Sequence, residues 1–197
     1  MQKGKRTREL IIGAAIKVIA EVGSDKASIL EITKVAKVGN GTFYYHFKNK
    51  EEILAAIGET VTKNMVDSYE IDLASAHKDP AILIAKSTKG MLLKCSEDPV
   101  WAEVIIDALS LRDQTPIFLR GYNKNLIPHI EYGISKNRFD TQLSEDLVEL
   151  IQSINRTALI MIMEGRNKKQ SIIRAIEAKL RILGVQPAEA REIAQAV

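Results

Sequence analysis

Wherever apolar residues recur in this chain they recur at intervals of three and four, and the runs are broken by glycine and proline where helices stop and start. A chain patterned in this way packs helix on helix. Leu10, Ile11, Ala14, Ala15, Val18, Ile19 and Val22 form the first such run, and Gly23 follows it as a left-handed terminator, which predicts a helix from about Thr7 to Val22. Ser28-Ile29-Leu30-Glu31 has the form of a capping box, so a short second helix carrying Ile29, Ile32, Val35 and Ala36 begins after Ser28. Gly39 and Gly41 mark a turn, and a third helix is expected near Asn40 to His46. Ile53, Leu54, Ile57, Val61 and Met65 then predict a long connector helix from Lys50 to about Ser75. Prolines at first helical positions announce later helices at Asp79-Pro80, Asp98-Pro99, Thr115-Pro116 and Gln186-Pro187. Pro128 instead interrupts the series Phe118, Tyr122, Leu126, Ile130, where a kink is expected. No segment alternates like a strand and no repeat has solenoid spacing.

The charge is divided as unevenly as the helices are regular. Residues 1–50 hold ten Lys and Arg against four acids, a net of +6, while the remaining 18 basic and 21 acidic residues give −3. A positive field confined to the first quarter of a chain suits a module that gains affinity by neutralising phosphates. The division expected is therefore a small DNA-binding domain over 1–50 and a larger helical domain over 51–197.

The segment Ser28 to Glu52 sharpens that expectation. A short recognition helix must bury one face on its own domain and turn small and polar groups toward a groove. Phe43 and Phe47, four apart, supply the buried face, leaving Thr42, Tyr44, Tyr45 and His46 to point elsewhere beside Lys48 and Lys50. Gly41-Thr42-Phe43-Tyr44-Tyr45-His46-Phe47 followed by Lys50-Glu51, with Ala14-Ala15 in the preceding helix, resembles the DNA-binding signature of the TetR (tetracycline-repressor-like) family of bacterial regulators over about residues 6–57. The resemblance implies an all-α chain, with an N-terminal three-helix helix-turn-helix domain and a C-terminal helical domain for ligand binding and dimerisation. It implies base contacts from Asn40 and Thr42, and phosphate contacts from Ser28, Tyr44, His46 and Lys50. Tyr45 would take a phosphate or a base edge. Two positions depart from the family pattern, Lys37 in the turn and Gly39 at the third-helix cap. Lysine at positive φ costs about 1 kcal/mol relative to glycine, and Lys37 is included among the DNA-contact candidates.

The same resemblance implies a small-molecule effector held in the C-terminal domain, whose binding swings the connector helix and releases the DNA. Candidate pocket residues are Met91, Cys95, Trp101, Ile105, Phe118, Tyr122, Ile154, Ala158 and Met161, a predominantly apolar set that fits a hydrophobic or amphipathic ligand. The same spacing equally describes a solid core. Residues 147–163 and 170–183 carry apolar side chains on more than one face, which predicts a homodimer through residues 147–183 as a four-helix interface.

Other classes are set aside on the sequence. No nucleophile–base pair, carboxylate pair or phosphate loop signals an enzyme. Cys95 is the single cysteine, and His46, His77 and His129 lack metal-ligand spacing, so neither a metal nor a cofactor is expected. No apolar run approaches the roughly 18 residues of a membrane span, and Lys17 and Glu21 break the stretch that a secretory signal would need. The expected location is the cytoplasm. The rival left standing is a helical scaffold or protein-interaction module whose basic head is incidental.

Overall fold

The computed structural model describes residues 2–60, 79–108 and 126–197, and among these every regular element is an α-helix. The helices are α1 (Gln2–Val22), α2 (Ile29–Ala36), α3 (Asn40–His46), α4 (described over 50–60), α5 (Pro80–Glu97), α6 (Pro99–Ala108), α7 (Leu126–Ser135), α8 (Glu145–Met163), α9 (Lys168–Ile182) and α10 (Pro187–Ala196). They fall into two compact units, the first comprising residues 1–61 with 100–122, the second 62–99 with 123–197.

In the first unit α1 starts at Gln2, about a turn and a half before the expected start at Thr7. Lys3, Lys5 and Arg6 are good helix formers that extend it on propensity alone. Its buried face is Ile11, Ile12, Ala14, Ala15, Ile16, Val18 and Ile19, whereas Leu10 and Val22, expected on that face, are exposed. Gly23 ends the helix at φ +79°, as the terminator reading requires. The capping box is complete: the Ser28 hydroxyl accepts from the Glu31 amide at 3.2 Å, and the Glu31 carboxylate accepts from the Ser28 amide at 3.0 Å. α6 also belongs to this unit, and its Asp107 carboxylate accepts from the Ser24 amide at 2.9 Å in the α1–α2 turn.

The second unit is built around α5, which packs against α7, α8, α9 and α10. Asp79 caps α5 by accepting from the Ala81 amide, and the same carboxylate holds the Arg138 guanidinium, whose other edge binds Glu189 of α10. Burial works to raise the Asp79 pKa, but the hydrogen bonds from Arg138 and Ala81 outweigh it and hold the carboxyl below its ordinary range. The α8–α9 hairpin turns at Gly165 (φ +80°), and α9 is closed by Gly184 (φ +87°). The expected helix start at Pro116, and the connector beyond residue 60, lie outside the described residues. So does the chain just before Leu126, from which a kink at Pro128 would be measured.

Candidate nucleic-acid interface

The head is assembled from α1, α2 and α3, with α2 packing on both neighbours. Phe43 is fully buried and Phe47 nearly so, their rings 5.7 Å apart, while the Arg8 guanidinium lies 5.1 Å from the Phe47 ring centre. With that face fixed, the opposite side of α3 has to face outward. Tyr45 is 83% exposed and Tyr44 56%, which for phenol rings beside a basic chain is a display of donors rather than a packing failure. Asn40 is exposed, and Thr42 and His46 are half-buried. The Tyr44 ring packs edge-on against Phe43 and the Tyr45 ring against His46, which limits the orientations of both phenols.

The turn between α2 and α3 rests on Lys37, which is left-handed at φ 54°, ψ 42°. Its amide reaches the Lys34 carbonyl and the next amide, of Val38, reaches Thr33, so the last carbonyls of α2 are satisfied although no glycine is present. Gly39 then caps α3 with no side-chain hydrogen bond. Lys37 is exposed directly ahead of the recognition helix.

Three of the candidate contact residues hold partners of their own. The Ser28 hydroxyl donates to Glu31 at 2.7 Å, so a phosphate would have to draw that hydrogen away from a carboxylate. This hydrogen bond is the main cause holding the Glu31 pKa below its usual range. Asn40 Oδ1 lies 2.9 Å from the Thr33 hydroxyl, whose single hydrogen also lies within reach of the Leu30 carbonyl at 3.0 Å. The Lys50 ammonium, half-buried, donates to the Asp25 carbonyl at 3.2 Å and ties the start of α4 to the α1–α2 turn. Periodicity carried no sign of the Lys50 and Asp107 tethers, because each joins residues far apart in sequence. Beside the turn, an open groove of about 440 Å³ between α1 and α2 is lined by Arg6, Lys17 and Lys37 against the single acid Glu9, which extends the positive charge from the turn onto α1.

The pocket candidates divide between the units. Met91 and Cys95 on α5 and Ala158 on α8 are buried in the second unit, with Ile154 and Met161 half-buried on α8. Trp101, half-buried, and Ile105, fully buried, belong to α6 in the first unit. Phe118 and Tyr122 lie outside the described residues. Burial pushes the Cys95 thiol up to about 12, so it stays protonated at neutral pH. Sequence reasoning missed one side chain of the second unit: Lys179, 2% exposed, at a position continuing the apolar spacing Ile172, Ile176, Leu183. That spacing was the available signal.

Comparison with known proteins fits this geometry. Residues 11–57 match the family model described as bacterial regulatory proteins, tetR family. The chain is 29% identical over 175 residues to a fatty acid metabolism regulator protein of Bacillus subtilis, covering 83% of this chain and 88% of that one. A solved structure of RolR in complex with resorcinol superposes with a TM-score of 0.74 at 28% identity, over 100% of this chain and 96% of the other. FadR from Bacillus subtilis in complex with stearoyl-CoA shares the fold, with a TM-score of 0.63 at 23% identity over 90% of this chain and 98% of that one.

Proposed function

This chain belongs to the bacterial tetR family of DNA-binding transcriptional regulators, and from that premise we propose that it represses transcription from a palindromic operator until a hydrophobic or amphipathic effector releases it. The observation that carries the reading is α3, which with its C-cap Phe47 buries Phe43, leaves Thr42 half-buried and exposes Tyr44 and Tyr45 on a head of net charge +6. Within it, Asn40 and Thr42 read base edges. Lys37, Tyr44, His46 and Lys50 hold the backbone, joined by Tyr45 at a phosphate or base edge. Ser28 contributes first as the cap of α2.

The operator is palindromic because the regulator is a two-fold dimer, through residues 147–183. Leu150 is 55% exposed and Ile182 36%, and Ile154 and Met161 are half-buried, a remainder of apolar surface that a second copy would cover. Ile176 and Leu180, by contrast, are buried in the chain's own second unit and belong to its core rather than to such an interface. The effector class follows the relatives, since resorcinol and stearoyl-CoA each combine an apolar body with polar ends. Control passes through the connector that starts at Lys50, and the Asp107–Ser24 hydrogen bond gives α6 a hold on the α1–α2 turn. A division between DNA-binding and regulatory domains at residues 50 and 51 is part of the same reading.

The test is to incubate the purified chain with fragmented genomic DNA and to sequence the fragments it retains. The result expected is one enriched inverted repeat, released by an amphipathic effector. Retention without sequence preference would overturn the reading.

A further inference from the structure

Lys179 sits in the second unit at 2% exposure, and the Thr88 hydroxyl, 3.0 Å from its Nζ, is its one hydrogen-bond partner among the described residues. An ammonium has three N–H donors, so this burial leaves most of its demand unmet. Among the described residues Glu177 faces Arg181 and Arg191, Asp79 and Glu189 hold Arg138, Glu97 of α5 pairs with Lys94, and Glu145, Asp146 and Glu149 of α8 are exposed. An isolated cation at this depth is costly, and desolvation lowers the Lys179 pKa to about 7.

Polar groups are also buried on α8, the third helix of this packing. α5, α8 and α9 all pack on one another. On α8, Gln152 and Asn155 are buried at 2% and 3% exposure, with the Asn155 amide donating to Gln152 at 2.9 Å. The Asn155 carbonyl oxygen is fully buried and accepts no hydrogen bond among the described residues. Gln152 lies 13 residues before Gly165 and Lys179 lies 14 after it, so the antiparallel α8–α9 hairpin sets the two at about the same height. Apolar residues continue each stripe from these polar ends: Met91 and Cys95 follow Thr88 on α5 at three and seven residues, and Ala158 follows Asn155 on α8 at three. All are buried within one unit.

We propose that Lys179 and Thr88 form the polar end of the effector site, and that the effector they recognise is a carboxylate on an apolar body. The inference rests on the effector-controlled reading above. A carboxylate accepts from the Lys179 ammonium and from the Thr88 hydroxyl, and its arrival supplies the charge that the burial of Lys179 lacks. Because the free lysine is mostly neutral at pH 8, binding draws in close to one proton from solvent.

The test uses the full chain and two matched probe pairs, decanoate against decan-1-ol and benzoate against benzyl alcohol, titrated calorimetrically at pH 8 in buffers of different ionisation enthalpy. The expected result is a preference of about tenfold or more for a carboxylate over its alcohol, the scale of one charge-assisted hydrogen bond, with uptake of close to one proton. Lys179→Met, which removes the charge and keeps the length, should abolish both the preference and the uptake while raising the melting temperature. Thr88→Val provides a second variant that leaves the lysine in place and should weaken carboxylate binding alone. Equal binding of acid and alcohol, or a preference that survives Lys179→Met, overturns the head-group assignment and leaves effector control standing. If neither pair binds or releases the chain from its operator, effector control fails and the assignment fails with it.

Discussion

The two units of this chain place their polar chemistry in opposite ways. The head hides its apolar face around Phe43 and Phe47 and exposes phenols, amides and lysines, so that its chemistry is complete only when something outside supplies phosphates and base edges. The second unit does the reverse. Its described surface carries ion pairs such as Arg138 with Asp79 and Glu189, while Lys179 and an asparagine oxygen that accepts no hydrogen bond among the described residues are buried within it. On the proposed reading one unit is read from outside and the other completed from inside, which is the division of labour a ligand-controlled DNA binder needs.

The contrast can be broken most forcefully at Phe43. Truncation to Ala removes a fully buried ring from the smaller core, and a destabilisation of about 3–5 kcal/mol is expected. Hydrogen exchange should then show the amides of α1 to α3 unprotected while those of α8 and α9 keep their protection. Equal deprotection of both units would mean that they unfold as one. The second way to sharpen it is the pH dependence of stability. The unfolded chain keeps the Lys179 proton up to its usual pKa of 10.5, while the folded chain releases it at about 7. Between those values the unfolded state binds more protons, so this group makes stability rise with pH, by about 1.4 kcal/mol per unit. Below pH 7 its contribution is constant. Denaturant titrations across pH 7 to 10 should show that slope in the wild type and none of it in Lys179→Met, which should be the more stable protein at pH 7. An unchanged slope would show that the lysine is charged in the fold.

Smaller effects belong to the caps of α2. Ser28→Ala removes the acceptor of the first-turn amide and should cost about 1 kcal/mol. Lys37→Gly relieves a left-handed lysine and should gain about 1 kcal/mol. Thermal melts of the two variants should therefore move in opposite directions.

These caps also explain what was legible. Ser28 with Glu31, Gly23, and the α3 limits at Asn40 and His46 were readable because each is decided by residues within one helical turn, where hydrogen bonds and φ preferences act locally. The basic head was readable from composition. Lys179 was not, because its burial depends on which faces of α5 and α9 meet, and a charged residue continuing an apolar stripe reads equally well as one side chain reaching past the edge to water. The tethers Lys50 to Asp25 and Asp107 to Ser24 join positions 25 and 83 residues apart, and nothing in helical period encodes such pairings. The pocket candidates on α5 and α6 illustrate the same limit, since their shared apolar spacing gave no sign that the two helices belong to different units.

The central claim is that α3 and its flanking turn read DNA, with base recognition and backbone attraction assigned to different residues. Its most direct test is operator affinity across a salt series for wild type, Thr42→Ala and Lys37→Ala, each on the native operator and on operators altered in one half-site base pair. Thr42→Ala should cost about 1–3 kcal/mol, relax the preference at one position of each half-site and leave the salt slope unchanged. Lys37→Ala should weaken binding to all sequences alike and lower the slope by about two for a dimer, one for the phosphate that each protomer no longer neutralises. A Lys37→Ala variant that keeps the slope while changing base preference, together with a Thr42→Ala variant that does the opposite, would contradict the assignment.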